Sequence, residues 1–362
     1  MRFWCRIAAC LASVMWVCQA ASPCSTFYIP NGGRPVVGQN YDWGFGDGFA
    51  IVNQRGLSKT AAVLDVPASW TARYGSVTFN QYGREFPISG MNEAGLVVAT
   101  MWLEATQYPR PDSRPAVNSL QWIQYQLDNA ASVDEVIVSI ERLRISPVDP
   151  APLHYLVADR HGQCAVIEFI EGQAVWRVGA GLPACVLTNS TYDDCLAHLK
   201  QYAGFGGTGV VSPSQSSLGR FAWAADRLRR YEAQDPERAI EFAFRTLAEI
   251  AQDAGRAGTQ WTVVYDIAAR RIHFHTRGRA QVRTIELGEL NFACGRPVTA
   301  LNLATAAAGD ATPAFVEYTR EMNRKLIGDA CRETPFLKCV PPVLVEMMAA
   351  YPETAVCEDK LK

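Results

Sequence analysis

The chain has 362 residues, of which 49% are hydrophobic and 19% are charged. This composition is typical of a globular protein with a large core and argues against a disordered chain. The 34 Lys and Arg residues nearly balance the 36 Asp and Glu residues, and no dense basic run occurs. We therefore expect no nucleic-acid partner and predict that the protein acts on a small molecule.

Residues 1–21 have the layout of a secretory signal peptide. Two arginines, Arg2 and Arg6, precede an apolar stretch over residues 7–17. Small residues follow at Ala20 and Ala21, where a signal peptidase would cut. The apolar stretch is too short to cross a bilayer, and no later run approaches that length. We predict a periplasmic or secreted protein with no stable membrane anchor.

The mature chain is predicted to begin with a β-hairpin. Two strand-like segments flank the Pro- and Gly-rich turn at residues 30–35. The predicted elements of the first part are strands at 25–29, 36–40, 77–79 and 95–101 and helices at 118–130 and 133–142. Ser132 and Glu135 form a capping-box pattern at the start of the last helix.

The second part alternates strand groups with helices. Asp235 is placed to cap a helix that has Pro236 in its first turn. The predicted elements are strands at 153–158, 164–169 and 174–178, helices at 221–231 and 236–254, and strands at 261–267, 271–276 and 281–286. This order favours antiparallel sheets layered with helices. The residues after about 302 are interpreted as a C-terminal extension packed on the main domain.

The chain contains eleven cysteines, of which Cys5, Cys10 and Cys18 would leave with the signal peptide. Once Cys24 is set aside, an odd number remains, so at least one thiol stays unpaired in a monomer. The connectivity cannot be read from the sequence. The close spacing of Cys331, Cys339 and Cys357 favours a disulfide within the C-terminal extension.

Two sequence patterns, one of glycines and one of histidines, give only weak evidence for a binding site. The glycines of a G-x-G-x-x-G pattern are Gly204, Gly206 and Gly209, but they follow a helix-like stretch and run into Val-Val-Ser-Pro. A flexible loop or a mobile substrate lid is therefore expected there instead of a dinucleotide site. His273 and His275 would share one strand face, yet no metal-binding motif accompanies them, and we predict no metal site.

The most specific feature is Cys24, just after the signal peptide. Removal of Ser22-Pro23 would expose it as the N-terminal residue. Its α-amine, with an ordinary pKa of about 7.7–8.0, would then serve as general base for its own thiol. The alternative is a structural half-cystine near the start of a secreted chain.

Short motifs occur in a fixed order along the chain, from Cys24 to roughly Glu286. They are Cys24-Ser-Thr-Phe, Val37-Gly-Gln-Asn-Tyr-Asp42-Trp43, Tyr82-Gly-Arg-Glu-Phe-Pro with Gly90-Met-Asn-Glu-Ala-Gly-Leu96, Leu187-Thr-Asn189-Ser190 and Leu218-Gly-Arg220-Phe221. Together they resemble the penicillin V acylase and choloylglycine (bile salt) hydrolase family of N-terminal nucleophile hydrolases.

The resemblance implies an α+β fold, a four-layer αββα sandwich with two antiparallel sheets, over residues 24–300. It also implies that residues 22–23 are removed, and it leaves residues 301–362 as the C-terminal extension. It implies no cofactor, and it favours a homo-oligomer.

By the same resemblance, four residues are catalytic. Cys24 would be nucleophile and base, Asp42 would orient the α-amine, and Asn189 would donate to the oxyanion. Arg220 would favour the thiolate. The structural alternatives are a turn-forming aspartate, an asparagine that caps a helix or lies in a loop, and an arginine that pairs at the surface with acidic residues such as Asp226.

Two positions depart from the family pattern. Gln39, which we expect in the oxyanion and substrate pocket, stands where members commonly have an arginine, so activation would depend more on Arg220. Trp102 falls at the second oxyanion position, where bile salt hydrolases have an asparagine, and its backbone N–H would serve instead. With Trp43 it would line an apolar acyl pocket, unless both tryptophans are simply core residues.

These residues predict hydrolysis of a linear carbon–nitrogen amide bond by acyl transfer. The expected small-molecule substrates are phenoxyacetyl amides such as penicillin V, then N-acyl homoserine lactones, with conjugated bile salts as an alternative. A related acyltransferase or a peptide-specific amidase would share the same residues. The alternative of another class is a non-catalytic protein that binds acyl ligands.

Overall fold

The structure is a computed structural model that describes residues 24–233, 235–253, 257–305 and 307–358. The predicted signal peptide and the predicted removed segment, residues 22–23, lie outside the described residues. In the described part of the chain, no helix is both long enough and apolar enough to cross a bilayer.

Short strands rich in β-branched and aromatic residues make up much of the described chain. They are β1 (Ser25–Ile29), β2 (Val36–Asp42), β3 (Phe49–Asn53), β4 (Leu57–Thr60), β5 (Ser69–Thr71), β6 (Ser76–Asn80), β7 (Pro87–Asn92), β8 (Val97–Trp102), β9 (Ala116–Val117), β10 (Arg144–Ile145), β11 (Leu153–Ala158), β12 (Cys164–Ile170), β13 (Gln173–Val178), β14 (Val186–Leu187), β15 (Thr259–Asp266), β16 (Arg271–Thr276), β17 (Arg279–Glu286), β18 (Thr299–Asn302), β19 (Gly309–Asp310), β20 (Val316–Glu317) and β21 (Val356–Cys357). The predicted strands are confirmed, and their ends move by at most two residues.

The α-helices of the described residues are α1 (Ser119–Asn129), α2 (Val133–Ile140), α3 (Tyr192–Leu199), α4 (Ser217–Arg229), α5 (Pro236–Glu249), α6 (Arg320–Glu333) and α7 (Pro342–Ala350). Both predicted caps are confirmed, because Ser132 accepts a hydrogen bond from Glu135 N at 3.3 Å and Asp235 accepts one from Arg238 N at 3.0 Å. These caps set where α2 and α5 begin.

Two helix boundaries differ from the prediction. Helix α4 begins at Ser217, four residues earlier than expected, because Ser216 accepts a hydrogen bond from Gly219 N and caps it. Arg220 therefore lies in the first turn of this helix instead of preceding it. Helix α5 ends at Glu249, earlier than the predicted 254.

The strands form two large and largely antiparallel sheets. The first has the order β14-β1-β2-β15-β16-β17-β19, and the second has the order β13-β12-β11-β8-β7-β6-β3-β18-β20. Helix α4 packs on β1 and β14, helix α5 packs on β2 and β15, and helix α1 packs on β7 and β8. This is the predicted four-layer αββα arrangement.

The second sheet is covered on both faces, and its strands show the expected alternation. On β8, Val97 joins the core shared with the first sheet, whereas Val98 joins the core beneath α1 and α2. On β11, Leu156 joins the first core and Tyr155 the second. These strands are therefore apolar on both faces.

The prediction of a disulfide within the C-terminal extension is wrong, because Cys357 pairs with Cys294 instead. Strand β21 pairs with β4, which places Cys357 opposite Leu57. Gly56, the residue before Leu57, lies close to the Cys294 sulfur. A second disulfide joins Cys164 to Cys185. The free thiols of the described residues are Cys24, Cys195, Cys331 and Cys339.

A buried ion cluster joins strand β4 to helix α1 and to the turn before β7. The ammonium of Lys59 lies 2.7 Å from Glu85 and 2.9 Å from Asp128, and all three side chains are at most 2% exposed. Burial alone would lower the pKa of Lys59, but the two carboxylates outweigh it and raise that pKa. The two carboxylates therefore offset the free-energy cost of burying the positive charge of Lys59.

We predict that Lys59→Met lowers the free energy of unfolding by about 3–5 kcal/mol, because it leaves the buried Asp128 carboxylate without its cation and leaves Glu85 only the longer 3.7 Å contact with Arg84. Urea denaturation measures the change. The control is Lys325→Met, which removes an exposed ion pair with Asp329 and should leave the urea midpoint unchanged. Equal midpoints for both variants would refute a stabilising role of the Lys59 cluster.

Candidate active site

The hairpin of β1 and β2 places Cys24 next to Asp42. Ser25 pairs with Asn40, so the residue before β1 lies beside the end of β2. The Cys24 thiol lies 3.7 Å from the backbone oxygen of Asp42. Both residues are buried, at 4% and 0% exposure. The register of one hairpin thus brings together two residues of the predicted site.

The Asp42 carboxyl group is buried and only half satisfied. Its Oδ1 accepts a hydrogen bond from Thr259 Oγ1 at 2.5 Å, whereas Oδ2 is buried with no hydrogen-bond partner in the described structure. Burial raises the pKa of Asp42 to about 7, although the Thr259 hydrogen bond and the Arg220 charge lower it. Asp42 therefore presents one unused acceptor beside Cys24.

Ionisation of the Cys24 thiol is strongly disfavoured while Cys24 is still bonded to the preceding residues. Burial, followed by the negative charge of Asp42, raises the pKa of Cys24 to about 12, and the contact with the Asp42 backbone and the Arg220 charge only partly offset this. A thiol with this pKa is protonated at neutral pH. It needs a nearby base before it can act as a nucleophile.

Arg220 joins the start of β1 to the turn that carries Asn189. Its Nη1 donates to the backbone oxygen of Cys24 at 2.6 Å and to Ser25 Oγ, and its Nη2 donates to Asn189 Oδ1 at 2.9 Å. Its Nε donates to the Gln215 backbone at 3.3 Å. A guanidinium at 0% exposure needs such partners, and they come from three separate segments.

The contact with Arg220 also determines which way the Asn189 amide points. A guanidinium only donates hydrogen bonds, so the amide oxygen must face it. The amide nitrogen consequently faces the backbone oxygen of Trp102, to which it donates at 2.8 Å. The backbone N–H of Asn189 donates to Ser217 Oγ at 2.9 Å. The amide of Asn189 is thus held at the end of β8.

The structure rules out a surface arginine at 220 and a helix-capping asparagine at 189, although Asn189 does lie in the turn between β14 and α3. Arg220 is not a surface partner of Asp226, which instead pairs with Arg229 at 3.1 Å and with Arg230 at 2.9 Å. Nor is Asn189 a helix cap, because helix α3 is capped by Thr191.

His154 is a buried residue beside the site that the sequence gave no reason to single out. Its Nε2 lies 2.7 Å from the Thr188 backbone oxygen, and its Nδ1 lies 3.1 Å from Glu168. Glu168 in turn accepts a hydrogen bond from Tyr192 N at 3.0 Å. The turn that carries Asn189 is therefore fastened to β11 and β12. Because these contacts join distant segments, no local motif marks them.

Gln39 lies between the two sheets. Its Nε2 donates to the Thr100 backbone oxygen on β8 at 3.2 Å, and its Oε1 is buried with no hydrogen-bond partner in the described structure. It pairs with Thr26 across the hairpin. It is not among the described residues that line the cavity beside Cys24.

A cavity of about 350 Å³ opens beside Cys24, and its lining is mostly apolar. Trp43 and Trp102 both line it, with ring centroids 5.9 Å apart. Phe336 of the C-terminal extension completes an aromatic cluster with them. Both tryptophans are thus cavity residues and not simply core.

The glycine pattern and the paired histidines lie outside this cavity. Gly204, Gly206 and Gly209 lie in a loop after α3, as predicted. His273 contacts Thr284 Oγ1 at 3.0 Å, and His275 packs against a phenylalanine ring. Within the described ranges, no group of three His, Cys, Asp or Glu side chains is arranged to hold a metal ion.

A sequence profile of the linear amide C–N hydrolases, choloylglycine hydrolase family, matches residues 24–300. The chain belongs to this family. The resemblance drawn from the sequence motifs is therefore confirmed, and the protein is a hydrolase that acts on linear amides.

Three proteins named as penicillin V acylases or a bile acid hydrolase are similar to this chain in sequence or in structure. Penicillin V acylase from Pectobacterium atrosepticum is 24% identical over 297 residues, which are 72% of this chain and 78% of that protein. The structure of penicillin V acylase from Agrobacterium tumefaciens is 25% identical, with a TM-score of 0.72 over 82% of this chain and 98% of that one. A mutant conjugated bile acid hydrolase from Clostridium perfringens is 18% identical, with a TM-score of 0.63 over 79% and 98%, and shares the fold.

We predict that Asp42 makes stability fall as pH rises from about 4 to about 7 in a chain that retains Ser22-Pro23. In this interval the unfolded carboxyl is ionised, whereas the folded one, with its pKa raised to about 7, still binds a proton. Asp42→Asn removes this loss, so its advantage in free energy of unfolding should grow with pH up to about 7 and then level off.

Urea denaturation across this pH range measures the difference. Asp253→Asn is the control, because its side chain is fully exposed. Its pH profile should parallel that of the unsubstituted chain. If the Asp42→Asn profile also ran parallel, the buried carboxyl would not be the cause.

Proposed function

We propose that this protein is an N-terminal-cysteine amide hydrolase of the penicillin V acylase type. The observation that carries the proposal is the buried Oδ2 of Asp42, which has no hydrogen-bond partner among the described residues, in a residue whose backbone oxygen lies 3.7 Å from the Cys24 thiol. A free α-ammonium at Cys24 would give this oxygen a charged donor, since an exposed N-terminus at that position adds up to three N–H groups. Removal of residues 1–23 would create that group.

In the proposed reaction, the α-amine of Cys24 takes the thiol proton and the sulfur attacks the amide carbonyl carbon. The α-ammonium then protonates the leaving nitrogen as the carbon–nitrogen bond breaks, which leaves a thioester on the sulfur. Water, deprotonated by the same amine, attacks the thioester carbonyl, and the sulfur leaves with a proton. The raised pKa of the thiol is the reason that this internal base is needed.

The oxyanion of each tetrahedral intermediate would be stabilised by Asn189, with the backbone N–H of Trp102 as a second donor. Support comes from Arg220, which binds the Asn189 amide oxygen and so turns the amide nitrogen towards the end of β8. A donor held in advance contributes most when charge develops beside it. The positive charge of Arg220 also opposes the raised pKa of Cys24.

The proposed substrates are acyl amides whose acyl group fills the apolar cavity. Trp43 and Trp102 give aromatic surface to the cavity that Cys24 also lines, which suits phenoxyacetyl amides such as penicillin V. N-acyl homoserine lactones are a further proposed class, because an alkyl chain also suits this lining. The exposed Leu64 and Val148 continue it to the surface. Conjugated bile salts remain the alternative.

We also propose that the protein works in the periplasm or outside the cell, since residues 1–21 have a signal-peptide layout. The family resemblance is the basis for proposing that it is a homo-oligomer. Cell fractionation and sedimentation test these two points. The alternative from another class is a binding protein that keeps the fold without turnover.

We predict that the exported protein begins at Cys24 and consumes a phenoxyacetyl amide. N-terminal sequencing, intact mass and release of the free amine measure this. Cys24→Ala should abolish release, and a chain that retains Ser22-Pro23 should also be inactive, because it lacks the α-amine. Turnover by the retained chain would reject the N-terminal-amine mechanism. A mature N-terminus other than Cys24, together with no turnover, would favour the binding protein.

We predict that Asn189→Ala lowers kcat by about 10²–10³-fold with little change in KM, because the lost donor acts mainly in the transition state. Initial rates with the phenoxyacetyl amide measure both constants. Asn291→Ala is the matched control, since Asn291 is exposed and does not line the cavity in the described structure. Equal kcat values for the two variants would argue against an oxyanion role.

A further inference from the structure

One wall of the cavity comes from outside the region that matches the family. The match ends at residue 300, yet Phe336, Leu337 and Met348 line the same cavity as Cys24. Phe336 and Leu337 lie in a short 3₁₀ turn, Pro335–Leu337, between α6 and α7. The C-terminal segment therefore contributes directly to the space where the substrate would sit.

Phe336 contacts the two tryptophans that line the cavity together with Cys24. Its ring centroid lies 6.4 Å from that of Trp43, edge-on at 83°, and 5.7 Å from that of Trp102. Trp102 also accepts the hydrogen bond from Asn189 through its backbone oxygen. Phe336, Trp43 and Trp102 therefore form one aromatic cluster, and only Phe336 comes from the C-terminal segment.

The C-terminal segment is tied to the main domain at both ends. Strand β18 near its beginning pairs with β3, and β20 pairs with β18. At its other end Cys357 forms the disulfide with Cys294, and Tyr351 donates to the Thr60 backbone oxygen at 2.6 Å. Phe336 is therefore held in place by contacts on either side of it.

The middle of the segment packs on residues that form another wall of the cavity. Asn323 of α6 accepts a hydrogen bond from Arg84 N at 2.9 Å. Phe86, which lines the cavity, lies 5.6 Å from the Tyr351 ring. The hydroxyl of Tyr82, another lining residue, lies 3.5 Å from Thr334 Oγ1. Two walls of the cavity are thus fixed against each other.

We propose that the C-terminal segment is a specificity element and that Phe336 sets the size of the acyl group accepted beside Cys24. This rests on the proposed function, because it assumes that the cavity holds the acyl part of an amide. The ring of Phe336 packs against an aryloxyacetyl group as it packs against the tryptophans. It also limits how bulky that group can be.

The test compares two amides that share one amine, a phenoxyacetyl amide and the bulkier 2-naphthyloxyacetyl amide. Phe336→Ala should lower kcat/KM for the phenoxyacetyl amide about fivefold, the scale of one lost aromatic contact. It should raise the naphthyl-to-phenoxy ratio of kcat/KM, and Phe336→Leu should give an intermediate ratio. Thermal melting shows whether each variant is folded.

Leu344→Ala is the matched control, because Leu344 is an apolar residue of the same segment that is 43% exposed and does not line the cavity in the described structure. Its substrate ratio should equal that of the unsubstituted enzyme. The proposal is overturned if folded Phe336→Ala and Phe336→Leu proteins keep that ratio, or if Leu344→Ala shifts it equally.

A binding measurement separates this proposal from the proposed function. The Cys24→Ala protein binds without turnover, and quenching of tryptophan fluorescence reports the Kd of each amide, since Trp43 and Trp102 line the cavity. If the unsubstituted protein hydrolyses neither amide but Phe336→Ala shifts the Kd ratio, the hydrolase proposal fails and the role of Phe336 stands. If the unsubstituted protein hydrolyses the amides but Phe336→Ala leaves the Kd ratio unchanged, the hydrolase proposal stands and the proposed role of Phe336 fails.

Discussion

The site depends on the burial of one cation, Arg220. A guanidinium without solvent is tolerated only when its donors find acceptors, and here those acceptors come from the start of β1, the turn before α3 and the loop before α4. The same requirement that stabilises the charge therefore places Cys24 and Asn189 near each other. The hydrogen bonds that satisfy the buried Arg220 charge are thus the same contacts that assemble the proposed site.

Asp42 is the opposite case, since one of its buried oxygens has no hydrogen-bond partner in the described structure. Folded proteins rarely leave such an atom unsatisfied, and its raised pKa expresses the cost. The proposed α-ammonium of Cys24 would supply the donor. In that reading, removal of the preceding residues both creates the base and completes the hydrogen bonding of the site.

The aromatic cluster links the family domain to the C-terminal segment. Trp43 and Trp102 lie at the ends of strands whose register is set by the two sheets, whereas Phe336 reaches them from a turn that the sheets do not position. The disulfide between Cys294 and Cys357 ties the far end of the segment to the main domain. The cavity beside Cys24 thus has one wall that comes from a segment outside the family match.

The sequence by itself determined about half of the strands in the described chain, two of the helix caps and the hairpin that brings Cys24 to Asp42, because alternation, capping residues and turn residues are local signals. It also identified the family through ordered motifs. Only the tertiary structure decided that Arg220 orients the Asn189 amide and that His154 binds the turn that carries Asn189. It also decided that Cys357 pairs with Cys294 and that Phe336 lines the cavity. Those contacts join residues far apart in the chain, and no local pattern encodes which distant partner each one meets.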